Sequence, residues 1–438
     1  MTDLRTRYHD AGIDRGAVEG LATHGLTVAR VGDADRDATD AWLEAVARGF
    51  LDGEPNDARR QAFFDHTAYR RKIGVYDPAA PVAQTPVATF ASWIAELSLP
   101  GDGAVPASAI SSVTVAPTHR RRGILRAVMR GELRAAVELG VPIAALTVSE
   151  STIYGRFGFA PAVVAAQWEI DVRRARWIGP DAPGRIDFVT REQGRALAET
   201  LHERVRRGMP GEIDLPGGHP DRFFGTRPDA EKAEQLRVVQ YRSPDGEVDG
   251  LALYRVTENH DDFTQSSLDV ALLLAATDDA YAGLWRFLLS LDLISTVRVS
   301  ELAVDEPLWW MIADQRAAKI SLRDHHYLRI LDVPATLAAR RFDVADAVVL
   351  EVTDPLEIAG GTFALTTDAE GTASVDVVDA PPVGLPVVTL GIAELSALLL
   401  GGVSAVTLAR AGRLHADDPA RIARLFATTV APRLSFWY

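Results

Sequence analysis

The chain has 438 residues, of which 47% are apolar and 24% charged, a composition typical of a soluble globular protein with two to four domains. Its net charge of −14 argues against non-specific binding to nucleic acid and is compatible with a cationic substrate. The absence of cysteine excludes disulfides, thiol nucleophiles and cysteine-based metal sites, and no two histidines have the spacing of a helical metal-binding pair.

The start of the chain predicts neither a signal peptide nor a membrane anchor. Residues 1–12 are polar, and the most apolar window, residues 395–409, is short and interrupted by two glycines. We therefore expect a cytoplasmic protein without a membrane partner.

The first predicted helix, Thr39–Leu51, carries apolar residues at helical spacing, with Asp40 as its N-cap.

A strand–helix–strand unit follows this helix. A helix that ends near Leu139 lies between the last two of four predicted strands, and Gly140 is placed to close it. This order predicts a right-handed crossover between two parallel strands. The predicted strands are Lys72–Tyr76, Val87–Leu97, Ala109–Val115 and Pro142–Val148.

The turn that opens this helix concentrates positive charge. Pro117 is followed by three arginines at positions 120–122, then by Gly123 and an apolar helix pattern. The first amides of a helix have no intrahelical partners, so neighbouring guanidinium groups complete a site suited to pyrophosphate. The missing Cβ of glycine would let phosphate oxygens approach these amides. A solvated basic helix start is the alternative interpretation.

A second region repeats this plan without its positive charge. Where the first region has arginines and glycine, the second has Thr277, Asp278 and Asp279. Carboxylates there would repel a pyrophosphate, so we expect this region to have a structural or pocket-forming role. The predicted helix is Ala280–Leu291, and the strands are Leu236–Tyr241, Gly250–Val256, Leu268–Ala275 and Ile294–Val299.

The C-terminal region has a third pattern, in which alternating strands stand between helices. It predicts an α+β domain of about 100 residues. The sequence closes on Ser435, Phe436, Trp437 and Tyr438. The predicted helices are Ala335–Arg340, Ile392–Leu400 and Pro419–Phe426, and the strands are Ala347–Val352, Gly361–Thr366 and Thr372–Val378.

Two motifs carry a family resemblance. Residues 113–126, Val-Thr-Val-Ala-Pro-Thr-His-Arg-Arg-Arg-Gly-Ile-Leu-Arg, resemble the acyl-CoA pyrophosphate motif of the GNAT N-acetyltransferase superfamily, Arg/Gln-x-x-Gly-x-Gly/Ala. Leu125 departs from the small residue usual in that superfamily. Together with residues 153–159, Ile-Tyr-Gly-Arg-Phe-Gly-Phe, the segment resembles the Eis (enhanced intracellular survival) family, which accepts leucine at this position.

The resemblance implies an α+β protein with two tandem GNAT-type domains, the second degenerate, and a sterol-carrier-protein-like domain. The implied boundaries are 1–165, 166–333 and 334–438. Acetyl-CoA is the implied cosubstrate, no metal is expected, and the family is homohexameric. The Val113 amide is the implied oxyanion donor. The implied cofactor-binding residues are Val113, Thr114, Val115, Arg121, Arg122, Gly123, Ile124, Leu125, Arg126, Ser149 and Glu150.

Acetyl transfer to an amine requires a base for the amine, a donor for the oxyanion and an acid for the leaving thiolate. The resemblance implies that Tyr154 is the acid, although its apolar neighbours alone favour a packing role. The resemblance also implies that the C-terminal carboxylate, here that of Tyr438, is the general base, with Phe436 and Trp437 packing the tail. An aromatic terminus that only docks in a core is the alternative.

We therefore predict an acetyl-CoA-dependent N-acetyltransferase that acts on primary amines of cationic acceptors, such as aminoglycosides, polyamines or lysine side chains. One alternative is a lipid-binding carrier protein with a vestigial acetyltransferase domain. Another is an acetyltransferase for the N-terminus or lysines of a specific protein partner. Trp42, Phe50 and Trp93 are candidates for the acceptor pocket, but lone aromatic residues more often belong to a core.

Overall fold

A computed structural model describes residues 2–438, which divide into two compact units. The first unit contains the described residues up to Ala162, together with His326–Thr429 and Tyr438. The second unit contains Val163–His325 and Val430–Trp437. Within the described residues, every helix is too short or too polar to cross a lipid bilayer.

The N-terminal part of the chain contains helices and a set of antiparallel strands, followed by a crossover to a parallel strand. Strands β1 to β4 pair in sequence order as antiparallel neighbours, and β4 pairs with β5 in parallel through α5. The predicted strand–helix–strand unit with two parallel strands is therefore confirmed. The elements are α1 (Thr2–Asp10), α2 (Arg15–Ala22), β1 (Thr27–Arg30), α3 (Arg36–Phe50), α4 (Asp57–His66), β2 (Arg71–Tyr76), β3 (Ala88–Leu99), β4 (Gly103–Val115), α5 (Ile124–Glu138) and β5 (Ile143–Thr147).

The second unit repeats this crossover, because two of its strands, β10 and β11, pair in parallel with α9 between them. Its strand order is β6-β11-β10-β9-β8-β7. The elements of this stretch are β6 (Ala160–Asp171), α6 (Val172–Ala175), β7 (Arg185–Val189), α7 (Arg191–Arg207), α8 (His219–Phe223), β8 (Leu236–Arg242), β9 (Val248–Thr257), β10 (Ser266–Ala275), α9 (Asp278–Leu289), β11 (Ile294–Leu302), α10 (Leu308–Met311) and β12 (Ala318–Ile330).

The C-terminal region adds a five-stranded sheet to the first unit, in the order β15-β14-β13-β16-β17. Its first three strands and three of its helices match the predicted elements, whereas the sequence does not predict β16, β17 or α13. The elements are α11 (Val333–Ala339), β13 (Asp346–Thr353), β14 (Gly361–Thr367), β15 (Ala373–Val377), β16 (Val387–Gly391), α12 (Ile392–Leu398), α13 (Ala405–Arg410), β17 (Leu414–Ala416) and α14 (Pro419–Leu425).

Two boundaries near the site differ from the prediction. Helix α3 begins at Arg36, because the carboxylate of Asp35 accepts a hydrogen bond from the Ala38 amide; the predicted cap Asp40 lies inside the helix. Strand β4 begins at Gly103, six residues before the predicted start, because its pairing with β3 continues to the hairpin turn. The extra strand length makes β3 and β4 the longest antiparallel ribbon of the N-terminal sheet.

The core of the first unit packs α5 against the sheet and surrounds the predicted site. Val128 and Leu133 on the buried face of α5 belong to the same apolar cluster as Phe90, Ile110 and Leu146 on the strands. Three aromatic residues that follow β5 join this cluster. They are Tyr154, Phe157 and Phe159. The core therefore holds both the strand ends and the segment that follows them.

Candidate active site

The arginine turn has a strained backbone and an open surface. Arg121 and Gly123 both lie in the left-handed region, with φ of 65° and 75°. No side chain of residues 3–438 caps the N-terminus of α5. A Cβ built on Gly123 would have no described atom within 4 Å apart from those of the adjacent residues. The glycine is thus favoured by its backbone angle and not by crowding within the protein, while the space outside the turn is open to a ligand.

The guanidinium groups of this turn differ in their partners. Arg122 donates to the carbonyl oxygen of His24 at 2.9 Å and lies 3.7 Å from the Asp77 carboxylate. His119 hydrogen-bonds to the same carboxylate at 3.0 Å and lowers the pKa of Asp77. Arg121 and Arg126, in contrast, are exposed and have no carboxylate partner within the described chain. These two groups can meet a phosphate without giving up an ion pair.

Strand β4 carries a bulge directly before the turn. Thr89 pairs with Thr114 and Ala91 with Ser111, so Phe90 alone lies opposite Ser112 and Val113. Ser112 has a φ of 51°, which marks the kink. The pairing of β4 with β5 ends at Ile110 and Leu146, so these two strands are no longer hydrogen-bonded to each other beyond this point. Val113 therefore lies where the sheet opens.

The remaining predicted cofactor residues fall into three groups, which differ in burial. Ile124 is buried in the core, and the hydroxyl of Thr114 lies 2.8 Å from that of Thr89, so both offer a ligand mainly their backbone. Val115 and Leu125 are partly buried and pack against the core. Ser149 and Glu150 follow β5 and are exposed.

Tyr154 stands at the start of a one-turn 3-10 helix, Gly155–Phe157, which Gly158 ends in the left-handed conformation. Ser151 lies in the turn that precedes this helix. The Tyr154 ring is 7% exposed and packs edge-on against Phe159, with ring centroids 6.1 Å apart. Burial, with a smaller effect from Glu150, raises the pKa of Tyr154 to about 12. Its phenol is therefore protonated at neutral pH.

Tyr438 is held at the carboxyl end of β5. The hydroxyl of Thr147, the last residue of that strand, donates to the backbone oxygen of Tyr438 at 3.0 Å. The phenol oxygen of Tyr438 lies 2.7 Å from Nε2 of His326, and its ring packs edge-on against Trp93 at 5.3 Å. Burial raises the pKa of the Tyr438 phenol well above its usual value.

Thr147 and His326 are not among the site residues predicted from the sequence. Both contacts join residues more than 100 positions apart, and neither residue forms a motif with Tyr438.

Of the three aromatic candidates for the acceptor pocket, Trp42 is fully buried and donates to the Ile73 carbonyl, so it is a core residue. Phe50 is largely exposed, and only Trp93 touches Tyr438.

The second unit lacks the features of the arginine turn. At the N-terminus of α9 the side chain of Thr277 accepts a hydrogen bond from the Ala280 amide, so a protein group already caps this helix. Asp278 and Asp279 occupy the first turn, where α5 has no acidic residue. Within residues 2–438, no group of three or more acidic or histidine side chains is arranged so that it could hold a metal ion.

Comparison with known protein families supports this architecture. Residues 30–162 and 220–330 each match a family described as an acetyltransferase (GNAT) domain. Residues 333–435 match a sterol carrier protein domain. The predicted α+β class, with two GNAT domains followed by a sterol-carrier-like domain, is confirmed.

Individual relatives resemble the chain over most of its length. An uncharacterized N-acetyltransferase of Streptomyces avermitilis is 38% identical over 86% of this chain and 90% of its own length. The N-acetyltransferase Eis of Mycobacterium tuberculosis is 35% identical over 78% of this chain and 83% of its own length. The crystal structure of Eis1 from Mycobacterium abscessus has a TM-score of 0.76 and 26% identity, and covers 94% of this chain and all of that one.

GNAT acetyltransferases use acetyl-CoA as cosubstrate and an amine as acceptor. The uncapped start of α5, the open turn and the exposed guanidinium groups fit the pyrophosphate of that cosubstrate. Sequence motifs, domain order and overall structure thus agree, and the chain is an acyltransferase that belongs to the Eis family of GNAT N-acetyltransferases.

Proposed function

We propose that this enzyme transfers the acetyl group of acetyl-CoA to a primary amine of a cationic acceptor, such as an aminoglycoside, a polyamine or a lysine side chain. The hydrogen bond between Thr147 and the backbone oxygen of Tyr438 is the observation that supports this most strongly. It brings the last residue of the chain to the end of β5, beside the opening of the sheet. The net charge of −14 suits a cationic acceptor.

In the proposed reaction, the pyrophosphate of acetyl-CoA binds at the start of α5. Arg121 and Arg126 supply charge, and the amides of Arg122 to Leu125 supply hydrogen bonds. The backbone of residues 113–115 and the exposed pair Ser149 and Glu150 line the pantetheine arm. The Val113 amide, at the open part of β4, donates to the thioester oxygen and stabilises the oxyanion.

We assign the general base to the α-carboxylate of Tyr438. The acceptor nitrogen attacks the thioester carbon, and its proton passes to this carboxylate, directly or through one water, as the C–N bond forms. An ordinary α-carboxyl group has a pKa of about 3.5, which makes it a weak base. A weak base suffices at this step, because the nitrogen becomes much more acidic once it is bonded to carbon.

We assign the general acid to Tyr154. When the tetrahedral intermediate collapses, the C–S bond breaks and the thiolate accepts the phenol proton. The pKa of about 12 keeps this phenol protonated at neutral pH, so the donor is present in nearly every molecule. The proton that the base has taken then returns to the phenolate through solvent, which restores both groups.

The finer organisation of the chain is also part of the proposal. We assign residues 1–165 to the catalytic domain, 166–333 to the degenerate domain and 334–438 to the sterol-carrier-like domain. The acidic N-terminus of α9 supports a structural role for the degenerate domain. A cytoplasmic homohexamer is the assembly we expect from the family resemblance.

A thiol-release assay with purified protein, acetyl-CoA and a panel of acceptors tests this function. The panel contains aminoglycosides, diamines and lysine peptides, and mass spectrometry identifies the acetylated nitrogen. We expect thiol release with the small cationic amines. Release with only one protein substrate would favour the protein-specific alternative. No release with any amine, together with lipid binding that Arg122→Glu leaves unchanged, would favour the carrier protein.

A further inference from the structure

The contacts of Tyr438 are more specific than docking of an aromatic terminus requires. We propose that Thr147 and His326 are positioning residues that orient the C-terminal carboxylate toward the acceptor amine. Thr147 holds the carboxylate itself, and His326 holds the phenol at the other end of the same residue. This inference rests on the proposed role of that carboxylate as general base.

The sheet places the two residues side by side. Strands β5 and β12 are antiparallel, and Thr147 pairs with His326 in their register. Residues paired in this way project their side chains from the same face of a sheet. A threonine hydroxyl and an imidazole nitrogen therefore lie next to each other, and they reach the two ends of Tyr438 at 3.0 and 2.7 Å.

The residues around Tyr438 restrain it further. His326 is fully buried, and Trp93 closes the Tyr438 ring from a third direction at 5.3 Å. The last residue of a chain is ordinarily poorly ordered unless something ties it down. Two hydrogen bonds and an edge-on ring contact fix both the position and the rotation of Tyr438. The direction of its carboxylate is fixed as a result.

The Thr147 hydroxyl also affects the charge of the carboxylate. An ionised carboxylate has about four acceptor sites, and the threonine occupies one of them. A hydrogen bond to a charged group is stronger than one between neutral groups, so it restrains the carboxylate effectively. It also favours the ionised form, which is the form that accepts a proton. Thr147 thus orients the base and keeps it charged at lower pH.

Replacement of Thr147 by valine removes the hydroxyl and keeps the shape of the side chain. We expect kcat for acceptor acetylation to fall roughly tenfold or more, because the base loses its orientation. We expect KM for acetyl-CoA to stay within about twofold, since uniform binding of the cofactor is untouched. The acidic limb of the pH profile of kcat should move up by roughly half to one pH unit, because the ionised carboxylate loses a donor.

Thr147→Ser restores the hydroxyl and should recover both kcat and the pH profile. Thr336→Val is the matched control, because it removes another buried threonine hydroxyl, one that donates to the Pro142 carbonyl. It should lower the melting temperature without moving the pH profile. His326→Phe should lower kcat by a smaller factor, since it loosens only the ring of Tyr438.

Extension of the chain by Gly-Ser distinguishes failure of the proposed base from failure of the positioning role. If the extended enzyme keeps its kcat, the carboxylate is not the base and the proposed mechanism fails. If the extension lowers kcat while Thr147→Val retains wild-type kcat and pH profile, only the positioning role is overturned. A loss in Thr147→Val that serine does not rescue also contradicts it, since the hydroxyl would then not be the cause.

Discussion

Adding two residues, Gly-Ser, after Tyr438 is the most direct perturbation of the proposed base. The backbone oxygen of Tyr438 becomes a neutral amide oxygen, which can still accept the hydrogen bond from Thr147. The phenol contact with His326 and the ring contact with Trp93 are also unchanged. The extension therefore removes the charge from this position while the contacts that hold Tyr438 remain available.

The size of the effect follows from chain geometry. Two extended residues move the terminal carboxylate by up to about 7 Å. A general base must lie within about 3 Å of the proton it accepts, or one water further away. Positioned bases contribute about 10²- to 10⁴-fold to a rate, and solvent can replace part of that contribution. We expect kcat for amine acetylation to fall at least about tenfold, with little change in melting temperature.

The assay is continuous thiol release at saturating acetyl-CoA and acceptor. The matched control inserts Gly-Ser after Val383, a fully exposed residue between β15 and β16, and should behave as wild type. A normal kcat in the C-terminally extended protein would refute the assignment of the base to the terminal carboxylate. Equal losses in both insertions would show that the added residues act through the fold.

Three further outcomes are expected. Arg126→Glu should raise KM for acetyl-CoA roughly tenfold with kcat nearly unchanged, because it weakens binding of the substrate and of the transition state equally. The control is Arg130→Glu, at an exposed residue one turn further along α5, and it should leave KM unchanged. Tyr154→Phe should lower kcat about a hundredfold or more, and the wild-type enzyme should show no alkaline loss from this phenol below about pH 11, because its pKa is about 12. Burial, assisted by Arg323, lowers the pKa of His325 to about 4, so the unfolded chain binds a proton more readily. Stability should fall as pH drops from about 6.5 towards 4, by up to about 3 kcal/mol from this group, and His325→Asn should reduce the difference between urea midpoints at pH 7 and pH 5. An unreduced difference would contradict this last expectation.

The sequence predicted those parts of the site that depend on local order. A β-branched strand, three arginines, a glycine and an apolar helix pattern lie within 25 residues, and each has a local physical meaning. The corresponding strand, turn and helix are present, with Gly123 at a positive φ. The bulge at Ser112 was not visible in the sequence, because it depends on the register between β3 and β4.

Strand β12 shows why other parts could not be predicted. Residues 323–329 of this strand contain two arginines, an aspartate and two histidines, residue types that are usually exposed. In the structure Arg329 is fully buried, because it pairs with the equally buried Asp354 at 2.6 Å. His326 is buried against Tyr438. Partners far away in sequence make the burial of these polar groups possible, and no local pattern reports them.

The left-handed backbone of Arg121 has a consequence for how this enzyme can change. A residue with a side chain strains the chain by roughly 1–2 kcal/mol in this conformation, and glycine would relieve the strain. Glycine would also delete a guanidinium group that faces the cofactor phosphates in the proposed complex. Stability and cofactor affinity therefore favour different residues at position 121. A screen for thermostable variants is expected to select glycine at this position and so lower the affinity for the cofactor. A screen for activity is expected to retain arginine despite the backbone strain.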